Sequence, residues 1–152
     1  MALSRLDSLY MAVVSEHSKS PHHHGSLDGV EKLELHNPTC GDVIELSVKV
    51  EDGVITDIAF DGEGCTISTA SASMMTDAVI GKEKIHVQEL AEVFSQMVQG
   101  QKDERQKELQ DASLLAGVAK FPQRIKCATL PWNALEKALE RSESNDLRGT
   151  AT

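Results

Sequence analysis

The sequence predicts an α+β domain in which a small antiparallel sheet of about three strands carries helices on one face. Three observations predict it. Two runs of alternating apolar residues flank Glu51-Asp52-Gly53, and an Asp-Gly pair so placed is the strongest short-range signal for a β-hairpin. After Phe60 the apolar spacing lengthens from two residues to about 3.6, the period of a helix. The chain has 152 residues, of which 40% are apolar and 26% charged, the balance of a globular domain with one core. No repeat or linker divides it, so residues 1–152 read as a single domain.

The elements follow in order. Leu3, Leu6, Tyr10, Val13 and Val14 recur at helical spacing and predict an amphipathic helix over 3–17. The stretch Ser18-Lys19-Ser20-Pro21-His22-His23-His24-Gly25 ends it as a polar loop. Strands are expected over 31–36, 43–50 and 54–60, the last two joined by the Asp52-Gly53 turn. Ile67, Ala70, Met74 and Ala78 mark a helix over 65–80, stopped at Gly81 and rich in small residues that permit close packing on the sheet. A further helix spans 87–98, and the charged run 101–107 reads as a solvated face or connection. Short helices are expected over 109–118 and 119–128. Pro131 opens a last helix over 132–141 as its first residue, and the polar tail from Ser142 is expected to fray.

Charge and leader signals narrow the function. The net charge is −9 and the pI near 5.1, which argues against nucleic acid as the main partner, because phosphate binding needs a basic face. It suits partners that present positive patches. The N-terminus carries charge at once and lacks an apolar signal core. No run approaches the length of about 18 apolar residues that crosses a bilayer. A cytoplasmic protein with no membrane partner is expected. In that reducing setting, cysteines serve metals or catalysis more often than disulfides.

The three cysteines fall at telling places on this map. Cys40 lies in the turn between the first two strands, Cys65 where the third strand gives way to the long helix, and Cys127 near the end of a helix. Gly41, Gly62 and Gly64 let the backbone turn sharply beside the first two and approach an ion. A helix N-terminus favours thiolate at Cys65. Arg124, three residues before Cys127, would share its helix face and act as a thiolate stabiliser there. Asp42 can add a carboxylate oxygen, and three sulfurs with one oxygen make a tetrahedron that zinc accepts.

A plainer reading stays open on these residues alone. Lone cysteines are commonly inert core members, and an aspartate in a turn commonly serves the turn. Met74 and Met75 read as core filler and Trp132 as a packing anchor. His17, His36 and His86 are expected at solvent-exposed positions. His22, His23 and His24 read as loop, since three adjacent side chains cannot all face one ion.

At these motifs the chain resembles the U-type iron–sulfur assembly proteins, specifically the SufU branch of the IscU/NifU type. The likeness rests on Asn-Pro-x-Cys-Gly-Asp at 37–42, Gly-x-Gly-Cys-x-Ile-Ser at 62–68, Ser-Met-Met at 73–75 and Arg-Ile-Lys-Cys-Ala-x-Leu-Pro-Trp at 124–132. The resemblance implies that Cys40, Asp42, Cys65 and Cys127 are the metal-site residues. It also implies bound zinc and a sulfur relay from a SufS-type cysteine desulfurase, with downstream cluster-assembly proteins as further partners. In the scaffold branch a histidine precedes the third cysteine. Here Lys126 stands in that position, and 61 residues, 66–126, separate Cys65 from Cys127. Both departures favour the sulfurtransferase reading over a scaffold holding a transient iron–sulfur cluster on the same ligands. The expected mechanism frees Cys40, in an exposed Gly-flanked turn, to accept persulfide sulfur when a partner docks. The chain is then a sulfur acceptor more than a stand-alone enzyme.

Overall fold

The computed structural model describes the backbone of residues 5–37 and 41–150, and the side chains of 8–37 and 41–140. The chain begins with helix α1 (Arg5–Lys19), then forms strands β1 (Lys32–Asn37), β2 (Asp42–Glu51) and β3 (Val54–Glu63). Helices α2 (Thr66–Val79) and α3 (Lys84–Val98) follow, then 3₁₀ turns over Glu104–Lys120 and Pro122–Arg124, and finally α4 (Ile125–Thr150).

The strands form an antiparallel sheet in the order β1-β2-β3, as the alternation predicts. Asp52 and Gly53 both take positive φ, 54° and 77°, which is the tight-turn geometry that suits the twist of a two-residue hairpin. One register irregularity lies between Lys49 and Val50, where Thr56 is the extra residue on β3. The pairs Leu35↔Ile44, Leu46↔Phe60 and Val48↔Ile58 share one face. Helix α4 covers that face at β1 and β2, and α2 packs against β3.

Helix α2 is the hub, touching α1, α4, β3 and the long 3₁₀ segment. Its small residues make this possible, and Ala70, Ser71, Ala72 and Ser73 are all buried. Met74 and Met75 are fully buried core residues, and Trp132 stacks on Phe94 with ring centroids 4.6 Å apart. Among the described residues no helix is long and apolar enough to cross a membrane.

The C-terminal half departs from expectation. Residues 109–118 form no α-helix: Ala112, Leu115 and Val118 recur every third residue after Gln110 and are buried, as is Leu109 before it. A strict three-residue stripe stays on one face of a 3₁₀ helix, whereas it drifts around an α-helix. The run is broken at Gln110, whose φ is 56°. The helices expected over 119–128 and 132–141 are one helix, α4, and Pro131 lies inside it rather than at its start. Proline has no N–H to give to the Cys127 carbonyl four residues back. Cys127 is therefore the third residue of α4, not near a helix end. Helical backbone continues past Ser142 to Thr150.

Candidate metal centre

The antiparallel register builds the site. Asn37 pairs with Asp42 across β1 and β2, and Val43 faces Glu63 at the far end of β3. The start of β2 therefore lies beside the end of β3 and the Gly64-Cys65 connection that leads into α2. Gly62 adopts a φ of 126°, and a Cβ there would strike the Val43 carbonyl. At Gly64 a Cβ would meet the Ser68 hydroxyl and approach Asp42 Oδ1 to 3.3 Å. Both glycines are required by close approach, as their flanking of Cys65 implies.

Cys65 is the N-cap of α2. Its Sγ accepts the Ser68 amide at 3.4 Å, and the Ser68 hydroxyl donates back to the Cys65 carbonyl at 3.1 Å. The Cys65 amide donates to Asp42 Oδ1 at 2.8 Å, which fixes the carboxylate. Cys127 reaches the same point from α4 and is completely buried. The Asn37 side-chain amide lies 3.9 Å from its sulfur. One helical turn away, the Ser71 hydroxyl donates to the Ala128 carbonyl at 2.6 Å and ties this end of α4 to α2.

Asp42, Cys65 and Cys127 thus bring one carboxylate oxygen and two sulfurs within 4.8 Å of one another. Cys40, the remaining expected ligand, lies outside the described residues. Arg124 is exposed in the 3₁₀ turn before α4 rather than inside the helix of Cys127. Lys126 is exposed as well.

A test of fit to a cation comes from Asp42 itself. The residue is only 2% exposed, and its Oδ2 has no hydrogen-bond partner among the described residues. Buried polar atoms are nearly always paired, and a bare carboxylate oxygen beside two sulfurs is the donor set a tetrahedral borderline cation takes. The residues present fit such an ion.

Asn37, Ser68 and Ser71 are site residues that the reading from sequence missed. Ser68 was open to discovery, since it lies at the third helical position after Cys65, where an N-cap side chain finds its amide. Ser71 carries no such local sign. Among the histidines, His36 is exposed as expected and His86 is half-buried against Glu108 at 3.0 Å. The expectation fails at His17, which is 3% exposed because it extends the buried face of α1 beyond Val13 and Val14.

Comparison with known proteins gives the setting. The family described as NifU-like N terminal domain matches residues 9–140. The chain is 69% identical over 142 residues to the iron–sulfur cluster assembly scaffold protein IscU of Streptococcus pyogenes serotype M1, covering 93% of this chain and 89% of that one. It is 44% identical over 143 residues to the zinc-dependent sulfurtransferase SufU of Bacillus subtilis, covering 94% and 97%. A crystal structure of a protein described as an iron–sulfur cluster assembly scaffold for the SUF system, from Fervidobacterium islandicum AW-1, superposes with a TM-score of 0.80. It is 32% identical and covers 87% of this chain and 97% of that one.

Proposed function

Because the chain belongs to the NifU-like N-terminal domain family, we propose that it is an iron–sulfur cluster assembly protein that takes sulfur from a SufS-type cysteine desulfurase. In this reading residues 1–152 act as one domain, and Cys40, Asp42, Cys65 and Cys127 hold one zinc ion. The observation that carries it is the buried Asp42 Oδ2, without a hydrogen-bond partner among the described residues, beside the Cys65 and Cys127 sulfurs. Cys40 precedes Asp42 by two residues, a separation that cannot exceed about 7 Å. Zinc, when bound, supplies positive charge that keeps neighbouring thiols deprotonated and a coordination shell that guards them from oxidation.

The chain's own residues do the rest. The Ser68 amide in the first turn of α2 holds the Cys65 sulfur, and the Cys65 amide holds Asp42. Cys127 is anchored in the core. Cys40 is the acceptor. Its thiolate attacks the outer sulfur of the persulfide on the desulfurase cysteine, forming a new S–S bond as the old one breaks. The desulfurase cysteine leaves as thiolate, and Cys40 becomes the persulfide with no net oxidation. In this reading Arg124, in the exposed turn three residues before Cys127, keeps the role of thiolate stabiliser.

The relative named as an IscU scaffold at 69% identity supports a second reading. There the same ligands would build an iron–sulfur cluster and pass it on. Elemental analysis of untagged protein, purified gently, separates the two. About one zinc per chain with negligible acid-labile sulfide supports sulfur transfer, the occupancy a single tetrahedral site allows. Iron and sulfide in comparable amounts support the scaffold. Full desulfurase stimulation and sulfur uptake by Cys40→Ala would remove Cys40 from the acceptor role.

A further inference from the structure

At the other end of α2 the structure gathers a second set of ligating side chains. His17 comes from α1, His22 from the loop after it, and Asp77 from the last turns of α2. One ligand atom from each lies within 4.8 Å of the others. Cys65 and Asp77 are 12 residues apart, so at the rise of a helix the two ends are separated by about 18 Å. The cluster is distinct from the cysteine site.

The three residues are held differently. His17 is 3% exposed, with Nδ1 at 2.7 Å from the Ser73 hydroxyl and Nε2 at 3.0 Å from Asp111. The Ser73 hydroxyl also accepts the His22 backbone amide at 2.7 Å, which pins the loop over the buried ring. The His17 and His22 rings lie 4.6 Å apart between centroids. His22 Nδ1 sits 2.5 Å from Asp77 Oδ2, and His23 Nδ1 lies 3.6 Å from Asp77 Oδ1. Asp77 thus faces two consecutive imidazoles with its two oxygens.

We propose that His17, His22 and Asp77 form a second site for a divalent cation of the zinc type, closed by His23 or water. Two imidazoles and a carboxylate from three separate elements are a ligand set that zinc, nickel and cobalt favour over magnesium or calcium. Bonds of about 2.0–2.1 Å place tetrahedral ligands closer together than the present spread. The His22 side chain is 46% exposed, and rotation about its pinned backbone would close that gap. Occupancy would clamp the loop to α1 and α2. The same loop is paired with β3, since Phe60 donates to the His23 carbonyl and Gly25 to the Phe60 carbonyl, at 3.0 and 2.7 Å. The site would therefore fix the outer edge of the sheet whose end carries Asp61 and Gly62.

The test uses the untagged full chain, stripped of metal and titrated with zinc, in wild type and in the double variant His22→Ala/Asp77→Asn. Wild type is expected to bind a second, weaker equivalent that the variant lacks, while the tighter equivalent is unchanged. A wild type that stops at one equivalent, or a variant that keeps the second, overturns the proposal and leaves a hydrogen-bonded latch. Cobalt supplies a measurement that needs no variant. Its second equivalent should add no thiolate-to-metal absorption and should shift the His17 and His22 ring resonances. If that equivalent adds thiolate absorption, or leaves both rings unmoved, the site is not here.

Discussion

Replacing Asp42 by Asn should raise the stability of the metal-free protein and lower that of the zinc-loaded protein. The carboxylate is 2% exposed, and its Oδ2 has no partner among the described residues. An unpaired buried polar atom costs about 1–3 kcal/mol. The amide keeps an oxygen for the Cys65 N–H, and it turns the orphaned acceptor into a donor facing two sulfurs. Because that pairing is imperfect, the low end applies, a gain of about 1 kcal/mol. In a chain of this size that is about 2–4 °C in Tm. With zinc the sign reverses, because a neutral amide is a poor ligand. If affinity falls about 100-fold, zinc at about 1,000 times the original Kd stabilises the variant by about 1.4 kcal/mol in place of about 4.1. The zinc-induced rise in Tm then shrinks by about 5–11 °C. Differential scanning calorimetry, with chelator and with buffered zinc, reads both quantities. An equal zinc increment in the two proteins would refute the assignment of Asp42 as a ligand, and a metal-free variant less stable than wild type would overturn the cost assigned to its unpaired oxygen.

Two further predictions concern stability beside and away from the site. Gly64→Ala drives a methyl into the Ser68 hydroxyl and should cost about 1–3 kcal/mol by overpacking, with weaker metal binding. Adding Ser68→Ala should restore part of the loss in thermal unfolding, whereas no partner change should rescue Gly62→Ala, whose obstacle is the Val43 backbone. The Glu136 carboxyl is held above its ordinary value of 4.5, first by burial and then by the charges of Glu140 and Glu92. The folded state therefore binds its proton more tightly than the unfolded chain does. Stability from this group falls as pH climbs from 4.5 through the raised value, and the loss persists at neutral pH. Glu136→Gln should be neutral or stabilising at pH 7 and should flatten that fall; a Tm-versus-pH series parallel to wild type would refute it.

What could be read from the residues was what local rules control. The β2–β3 hairpin follows from Asp52-Gly53, and the cap of α2 follows from a cysteine placed where period two becomes period 3.6. The C-terminal half was harder because its signals are shared. Leu109, Ala112, Leu115 and Val118 satisfy a three-residue stripe, which short windows do not separate from an α-helix. Pro131 looks like a helix start because proline favours the first position, yet the helix here begins at Ile125, just after Pro122-Gln123-Arg124. Position His17 was legible in principle, three and four residues beyond Val14 and Val13 on the buried face of α1. Its polarity argued for solvent until Ser73 and Asp111 supplied partners that only the tertiary fold brings near.

Those serine partners explain why α2 is rich in residues that are small and polar. A helix surrounded on all sides is expected to be hydrophobic all round, but Ser68, Ser71, Ser73 and Thr76 are buried on this one. Each hydroxyl has work outside an apolar core, Thr76 by donating to the Ser73 carbonyl and meeting the His23 ring. Ser68 closes the cap at Cys65, Ser71 holds the first turn of α4 at Ala128, and Ser73 receives the loop at His22 and the ring of His17. Small side chains let the neighbouring backbones approach, and their oxygens then satisfy polar groups that such closeness buries. A leucine-rich α2 would bury more apolar area but would push α4, and with it Cys127, away from Asp42 and Cys65. The composition of this helix is therefore set by the sites at its two ends as much as by the core between them.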